Sequence, residues 1–451
     1  MARRQTPEAS TRPADDLGEV VERPADVHDF AERTMLADTT VGQVGIETEW
    51  FVLDRHSLGS PVAPERTRAA LGGRGPDLPG GSRITFEPGG QFELSGPPLV
   101  LPDALRAMSA DLTAVRQRLA DDGLLLAGLG ADPLRAPRRL LTEGRYAAME
   151  EYFQAGEFPA GPVMMCSTAA LQVNLEAGPK AGWDDRWRLA HALGPVLVAM
   201  FASSPVLAGR PTGHLSTRQG IWSAIDATRT APVADARTPP TTDGPAAQWA
   251  RYLLDARLML VRDGDIGRTG GAGDDRYVPV RDGSTFADWV AGAGPVPRRP
   301  TVDDLAYHAS TVFPPVRPRG WLELRYLDAQ SAALWPVAVT VATALLDDPE
   351  AADTARDACA GVAGHWAEAA ALGLAQPDLR TAALRCVMAV VEAAERLGLS
   401  PTLTAAVADF ADTFVRRGQC PADAALASWR AGGASAVLLD ATTWVEVPQP
   451  I

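Results

Sequence analysis

The sequence predicts an α+β fold, and three observations predict it. Segments with the period-two alternation of strands recur as far as Asp328, separated by segments with helical spacing. From Ser331 to about Arg430 the pattern becomes continuously helical and Ala-rich, broken at Pro349, at residues 373–377 and at Pro401. The strand-like segments also put acids, amides and an arginine on the face that a soluble protein leaves to solvent, so several of them must share one concave polar surface.

Taken in order, residues 1–26 are polar, charged and Pro-rich, which predicts a disordered tail and a fold starting near Val27. Residues 44–53 (VGIETEWFVL) read as the first strand, with Glu47 and Glu49 on one face, roughly 6–7 Å apart. Residues 83–95 (RITFEPGGQFELS) read as the second and align Glu87 with Thr85, and Glu93 with Gln91. Residues 102–121 have apolar residues at helical spacing and an acidic start, 123–129 are strand-like, and 143–155 read as a helix carrying Arg145, Tyr146, Met149 and Tyr152. Residues 168–176 (TAALQVNLE) align Gln172 with Asn174, and a helix over 183–202 is interrupted at Gly194-Pro195. Residues 231–245 and 262–282 read as loops, the second with a Gly-rich cluster over 270–275 and the character of a lid. The last strand, residues 321–328 (WLELRYLD), aligns Glu323 with Arg325. Domain boundaries follow: a catalytic α+β domain over 27–345 and a helical C-terminal lobe over 346–451.

Any one of these polar strands is ordinarily a solvated edge, and Glu323 with Arg325 an exposed pairing worth under about 1 kcal/mol. Recurrence over four segments is what counts. In one sheet they bring together five carboxylates, an arginine and two amides, and like charges so close are unfavourable without cations among them. Hard oxygen donors point to Mg²⁺ or Mn²⁺, and Mg²⁺ held by carboxylates usually also holds phosphate.

Composition narrows the chemistry. The 451 residues are 46% hydrophobic, with material for a large core, and have no apolar run long enough to cross a bilayer. The amino-terminal segment lacks the apolar stretch of a secretory signal, so a cytoplasmic protein is expected. Cys166, Cys359, Cys386 and Cys420 show no paired spacing, and the six histidines no metal motif. A net charge of -14 argues against nucleic-acid binding. Lys180 is the only lysine and sits in a turn-like Gly-Pro-Lys-Ala run, so Schiff-base, P-loop and lysine-dependent kinase chemistry are poor candidates. Phosphate must be handled by arginine and metal. Residues 210–230 concentrate Arg218, Trp222, Asp226 and Arg229, a group suited to bidentate capture of carboxylate or phosphate.

GIETEWFVL, TFEPGGQFELSGPP, GRYAAMEEYF, STAALQVNLE, SSPVLAGRPTGHLSTRQGIW and HASTVFPPVRPRGWLELRYLD together resemble the glutamate-cysteine ligase family, in the branch shared by plants and some bacteria. The Ala/Arg-rich composition is similar to actinobacterial members that supply γ-glutamylcysteine for ergothioneine synthesis. The resemblance implies a curved, mainly antiparallel sheet forming an active-site funnel, similar to the catalytic fold of glutamine synthetase, with helices outside. It implies Glu47, Glu49, Glu87, Glu93, Gln172 and Glu323 as the Mg²⁺ or Mn²⁺ shell and Arg325 as the phosphate-facing arginine. It also implies Arg218 as a substrate-binding residue, so Arg325 and Arg218 are expected to be catalytic, and Trp222, Arg229, Arg145, Tyr146 and Asn174 are expected to join Arg218 in binding substrate. Many members have histidine where this chain has Gln172, and the plant redox cysteine pair has no counterpart here.

The implied reaction uses ATP to join the γ-carboxylate of L-glutamate to the amine of L-cysteine through γ-glutamyl phosphate, in a monomer or simple homo-oligomer without nucleic-acid or membrane partners. Two alternatives stand beside it: a carboxylate-amine ligase with another acceptor, and a metal-dependent phosphohydrolase.

Overall fold

The computed structural model describes residues 18–73, 77–235, 243–262 and 277–443. Its centre is an eight-stranded, wholly antiparallel sheet. In chain order the strands are β1 (Gln43–Asp54), β2 (Arg83–Phe86), β3 (Phe92–Ser95), β4 (Leu99–Val100), β5 (Leu124–Ala127), β6 (Ala170–Glu176), β7 (Val206–Leu207), β8 (Arg210–Pro211), β9 (Leu260–Arg262), β10 (Tyr277–Pro279), β11 (Val316–Pro318) and β12 (Trp321–Asp328). The sheet runs β11-β12-β6-β1-β3-β2, with β4 and β5 also paired to β1, while β7-β8 and β9-β10 form separate ribbons.

Period-two alternation decides which face each side chain takes. Ile46, Trp50 and Val52 of β1, Phe92 and Leu94 of β3, Leu171, Val173 and Leu175 of β6, and Leu322 and Leu324 of β12 enter the main apolar core. Helix Leu101–Asp121 lies against that face because Leu101, Leu105, Met108, Leu112, Val115 and Leu119 recur every three or four residues and are buried. Helices Trp183–Ala192, Gly194–Phe201 and Trp335–Asp347 extend the same core. A register irregularity between Leu324 and Leu327 interrupts the alternation, so the adjacent residues Tyr326 and Leu327 both enter the core.

The opposite face is divided along β1. Glu47 and Glu49 occupy one half; Phe51 and Leu53, on the same parity, pack with Ala127, Leu129, Val437 and Leu438. Helix Pro421–Ala441, kinked at Gly433, thus covers the apolar half and leaves the acidic half open. The core continues from the strands into the helices beyond residue 346 without interruption, with Ala351, Val387 and Val407 in the same cluster as Val44 and Val173.

Two expectations change, and a third falls mostly outside the described residues. Residues 18–26 are ordered: Val21 is buried and donates its N–H to the Pro300 carbonyl at 2.8 Å, and the first helix is Pro24–Thr34. Residues 83–95 form a hairpin, because Pro88-Gly89-Gly90 turns the chain and the Glu87 N–H bonds the Gln91 carbonyl at 2.9 Å. Most of the segment read as a lid, residues 263–276, and part of the other loop, 236–242, lie outside the described residues.

The hairpin turn is clamped onto its neighbour. A Cβ at Gly89 would sit 2.3 Å from the Cys166 carbonyl oxygen and 2.6 Å from its Cα, and neither backbone atom can move cheaply. Gly89→Ala should lower stability by about 1–3 kcal/mol, measured by urea unfolding. Stability equal to wild type would show that the turn does not rest on helix Ala160–Ser167.

Candidate active site

The acidic half of the sheet is one wall of a cleft of about 360 Å³. Glu47, Glu49, Glu87, Glu93, Gln172 and Glu323 all line it, and Arg145, Tyr146, Arg218, Trp222 and Arg325 line it too. Pairing in the sheet produces this convergence. Glu49 is opposite Glu93, Glu47 is opposite Gln172, and Asn174 is opposite Glu323. Glu87 sits just past β2 in the turn, next to Glu93 across the hairpin.

Four of the five acids, Glu323, Glu47, Glu49 and Glu87, fall into two electrostatic states. Glu323 is a paired anion: the Arg317 Nε donates to Oε2 at 2.5 Å and its Nη2 to Oε1 at 3.1 Å, while Arg325 Nη1 lies 3.2 Å away. Burial opposes ionisation of Glu323, yet Arg317 and Arg325 override it and hold the carboxyl down to about 2. Glu47 and Glu49 are under-compensated. Burial, followed by the charges of Glu323 and Glu93, pushes Glu47 up to about 7, and burial followed by Glu93 pushes Glu49 up to about 7. Burial, then Glu49 and Glu93, raises Glu87 well above the usual carboxylate range.

This donor set suits a hard divalent cation, since it consists of carboxylate oxygens whose burial and mutual repulsion outweigh the positive charge of Arg218 and Arg325 nearby. Among the described residues, the one trio of potential ligand groups whose donor atoms lie within 4.8 Å of one another is His28, Asp29 and Glu32, near the surface and away from the cleft. The cleft acids are therefore spread as pairs along a wall rather than closed into a cage. That spacing fits Mg²⁺, which typically takes one or two carboxylates and completes its shell with phosphate oxygens and water.

Gln172 bridges the two kinds of charge. Its Oε1 accepts from Arg325 Nη1 at 2.6 Å, and its Nε2 donates to Glu49 at 3.4 Å. Glu49 also accepts the Ala170 N–H at 2.8 Å. Asn174 stands one layer behind the cleft, donating to Glu47 Oε1 at 2.9 Å and accepting from Trp321 Nε1 at 3.0 Å, so it orients Glu47. Across the cleft, Arg218 donates to the Arg325 carbonyl at 2.7 Å and stacks near Trp222. Arg218 Nε, Trp222 Nε1 and Arg145 Nε are buried donors without a protein acceptor, as an anionic ligand requires. Burial, then the Glu87 charge, pushes the Tyr146 phenol up to about 12, so it stays a neutral donor.

Arg229, read from sequence as a substrate ligand, is not in the cleft. It is fully buried, and its guanidinium is spent on Asp226, Tyr152 and the carbonyls of Thr311 and Arg257. Conversely, Arg317, Arg319, Ser310, Phe313, Met164 and Met165 line the cleft without having been singled out, and Gln91 and Met149, noted only for their place on a strand and a helix, line it too. Arg317 had a usable signal: a hairpin centred on Gly320 puts it opposite Glu323.

A cleft with carboxylates and paired arginines on its sheet wall, and Arg145 and Arg218 on the wall across from it, is chemically an enzyme site where cations and anionic substrates meet. Residues 43–439 match the family described as Glutamate-cysteine ligase family 2, and the chain belongs to that family. It is 46% identical over 395 residues to glutamate-cysteine ligase EgtA of Mycolicibacterium smegmatis, covering 85% of this chain and 90% of that protein. It is 33% identical over 257 residues to the chloroplastic glutamate-cysteine ligase of Medicago truncatula, covering 55% of this chain and 47% of that one. Among solved structures, the glutamate-cysteine ligase of Francisella tularensis in complex with AMP shares the fold, with a TM-score of 0.52, 13% identity and coverage of 90% of this chain and 88% of that one.

The raised carboxyls carry a linkage prediction. A carboxyl that ionises at about 7 in the folded chain but near its ordinary 4.5 when unfolded costs stability as pH rises through that interval, and the cost is complete above about 7. Glu49→Gln without divalent cation should therefore be more stable than wild type at pH 8, with the difference vanishing below about pH 4.5, while turnover falls at least about a hundredfold. A variant less stable than wild type at pH 8, by thermal melting in chelator, would contradict the electrostatic assignment.

Proposed function

We propose that this protein joins the γ-carboxylate of L-glutamate to the amine of L-cysteine at the expense of ATP, giving γ-glutamylcysteine for ergothioneine synthesis, in the cytoplasm and with Mg²⁺ or Mn²⁺. The single observation that carries this reading is the cleft itself, in which Glu47, Glu49 and Glu87, under-compensated by the arginines around them, share one cavity with five guanidinium groups, in a chain 46% identical to glutamate-cysteine ligase EgtA.

A free carboxylate does not acylate an amine, because oxide is a very poor leaving group. In the proposed route a glutamate γ-carboxylate oxygen attacks the γ-phosphorus of ATP, and ADP leaves with the electrons of the broken P–O bond. The neutral cysteine amine then attacks the acyl carbon, phosphate departs with the carboxylate oxygen, and the nitrogen loses its proton. Glu47, Glu49, Glu87 and Glu93 would hold the cation, which when bound neutralises phosphate charge and orients the phosphoryl oxygens.

Arg325 is aimed by Gln172 and Glu323 and so presents a fixed guanidinium to charge that builds on the transferred phosphoryl group. Glu323, anchored by Arg317, serves as a fixed anion that holds Arg325; a direct metal contact remains part of the proposal through its outer lone pairs. Gln172 couples Arg325 to Glu49 and supports the cation through that acid. Arg145, Tyr146, Arg218 and Trp222 supply donors for the carboxylates of the amino acids.

With ATP, glutamate, cysteine and Mg²⁺ the products should be γ-glutamylcysteine, ADP and phosphate, resolved by chromatography. AMP with pyrophosphate would sink the acyl-phosphate route, phosphate release independent of an amine would favour a phosphohydrolase, and ligation of other amines in preference to cysteine would favour a different acceptor. Arg325→Lys keeps charge but loses the fork, so kcat should drop by about a hundredfold or more. An effect confined to KM would reduce Arg325 to ground-state binding. Gln172→Ala should raise the Mg²⁺ concentration for half-activity; Gln172→His should remain active and prefer Mn²⁺, and wild-type metal dependence in both would remove Gln172 from the site.

A further inference from the structure

We infer that Asp226, Arg229 and Tyr152 form a positioning cluster that sets the cleft wall opposite the acidic sheet, and that Arg229 acts on substrate affinity without touching substrate. Asp226 and Arg229 are 2% and 0% exposed. Arg229 Nε donates to Asp226 at 3.2 Å, its Nη1 to the Thr311 carbonyl at 2.5 Å, and its Nη2 to the Tyr152 hydroxyl at 3.3 Å and the Arg257 carbonyl at 2.5 Å. Tyr152 closes the loop, donating its hydroxyl to Asp226 at 2.6 Å with its ring 4.9 Å from the guanidinium. The Arg229 carbonyl in turn accepts the Phe313 N–H at 2.7 Å.

Apart from Arg257, each partner belongs to a segment that supplies cleft residues. Tyr152 is on helix Gly144–Ala155, which carries Arg145, Tyr146 and Met149. Asp226 follows helix Thr217–Ser223, which carries Arg218 and Trp222. Thr311 and Phe313 are in the stretch with Ser310, where Ser310 and Phe313 face the cleft. None of the sheet acids is in this network. A buried ion pair contributes little net stability compared with apolar residues of the same volume, whereas its fixed geometry enforces one arrangement of the segments it joins. The cluster therefore controls the arginine wall, leaving the acidic wall to the sheet.

The kinetic half of this inference rests on the ligation reading above; the structural half does not. Tyr152→Phe removes the bridging hydroxyl at constant volume, and Arg229→Lys keeps charge while losing the fork. In Tyr152→Phe, hydrogen exchange at the Phe313 amide should be at least about tenfold faster, with β1 and β6 unchanged. The KM for at least one amino acid should rise at least about fivefold, with kcat within about twofold and the Mg²⁺ concentration for half-activity unaltered. Arg229→Lys should move the same quantities further. Unchanged Phe313 exchange in Tyr152→Phe would overturn the inference, and so would a lowered kcat with KM intact, which is the mark of a merely structural pair. Wild type assayed alongside separates the two readings: absence of ligation by wild type refutes the reaction, while the exchange measurement still decides the cluster.

Discussion

Everything in this molecule is arranged around carboxylates held close together in a poorly solvated place. Glu47, Glu49 and Glu87 are pushed toward their protonated forms by burial and by one another. A protein can hold such a group by pairing it, protonating it or supplying a cation. Here one acid, Glu323, is paired within the fold, and its neighbours are left to take their positive charge from elsewhere. Arg317 anchors Glu323, Glu323 and Gln172 aim Arg325, and Arg325 faces the acids that remain.

The sheet makes this arrangement affordable. Its buried face is continuous from β2 to β12 and shares one apolar core with the helices behind it. That core carries the cost of placing four acidic strand positions, Glu47, Glu49, Glu93 and Glu323, side by side. The other face is closed over Phe51 and Leu53 by the carboxy-terminal helix, which confines the polar surface to a cleft. The opposite wall comes from helices and a loop, tied together by Arg229, so the two walls have independent supports. With one lysine in the chain, every fixed cation of the cleft is a guanidinium, suited to flat carboxylate and phosphate oxygens.

Strand parity was the most legible feature of the sequence. The alternation in GIETEWFVL, TAALQVNLE and WLELRYLD placed Glu47, Glu49, Gln172, Glu323 and Arg325 on a common face, and all five line the cleft. Helical spacing marked residues 102–121 equally plainly, because packing against a sheet demands an apolar stripe. Less visible was whatever depends on chain reversal. The Pro-Gly-Gly turn divides residues 83–95 into a hairpin, so Glu87 reaches the site from a turn rather than along a strand. Arg229 illustrates a different limit. An arginine beside Trp222 reads alike whether its fork meets a ligand or the carbonyls of residues 257 and 311, since those partners are distant in sequence. Residues 18–26 looked like a tail because their pairing with residues 300–302 is likewise non-local.

The claim that the acidic wall exists to receive a divalent cation has a direct thermodynamic signature. A cation entering near pH 7 must displace protons from carboxyls that ionise at about 7, so binding and proton release are linked. Calorimetric titration of Mg²⁺ into the protein with bound ADP, in two buffers of different ionisation enthalpy, counts those protons. Release of about one proton or more per protein at pH 7, falling toward zero by about pH 9, is the predicted result. Cation binding with no proton release at pH 7, or no cation binding at all, would contradict it.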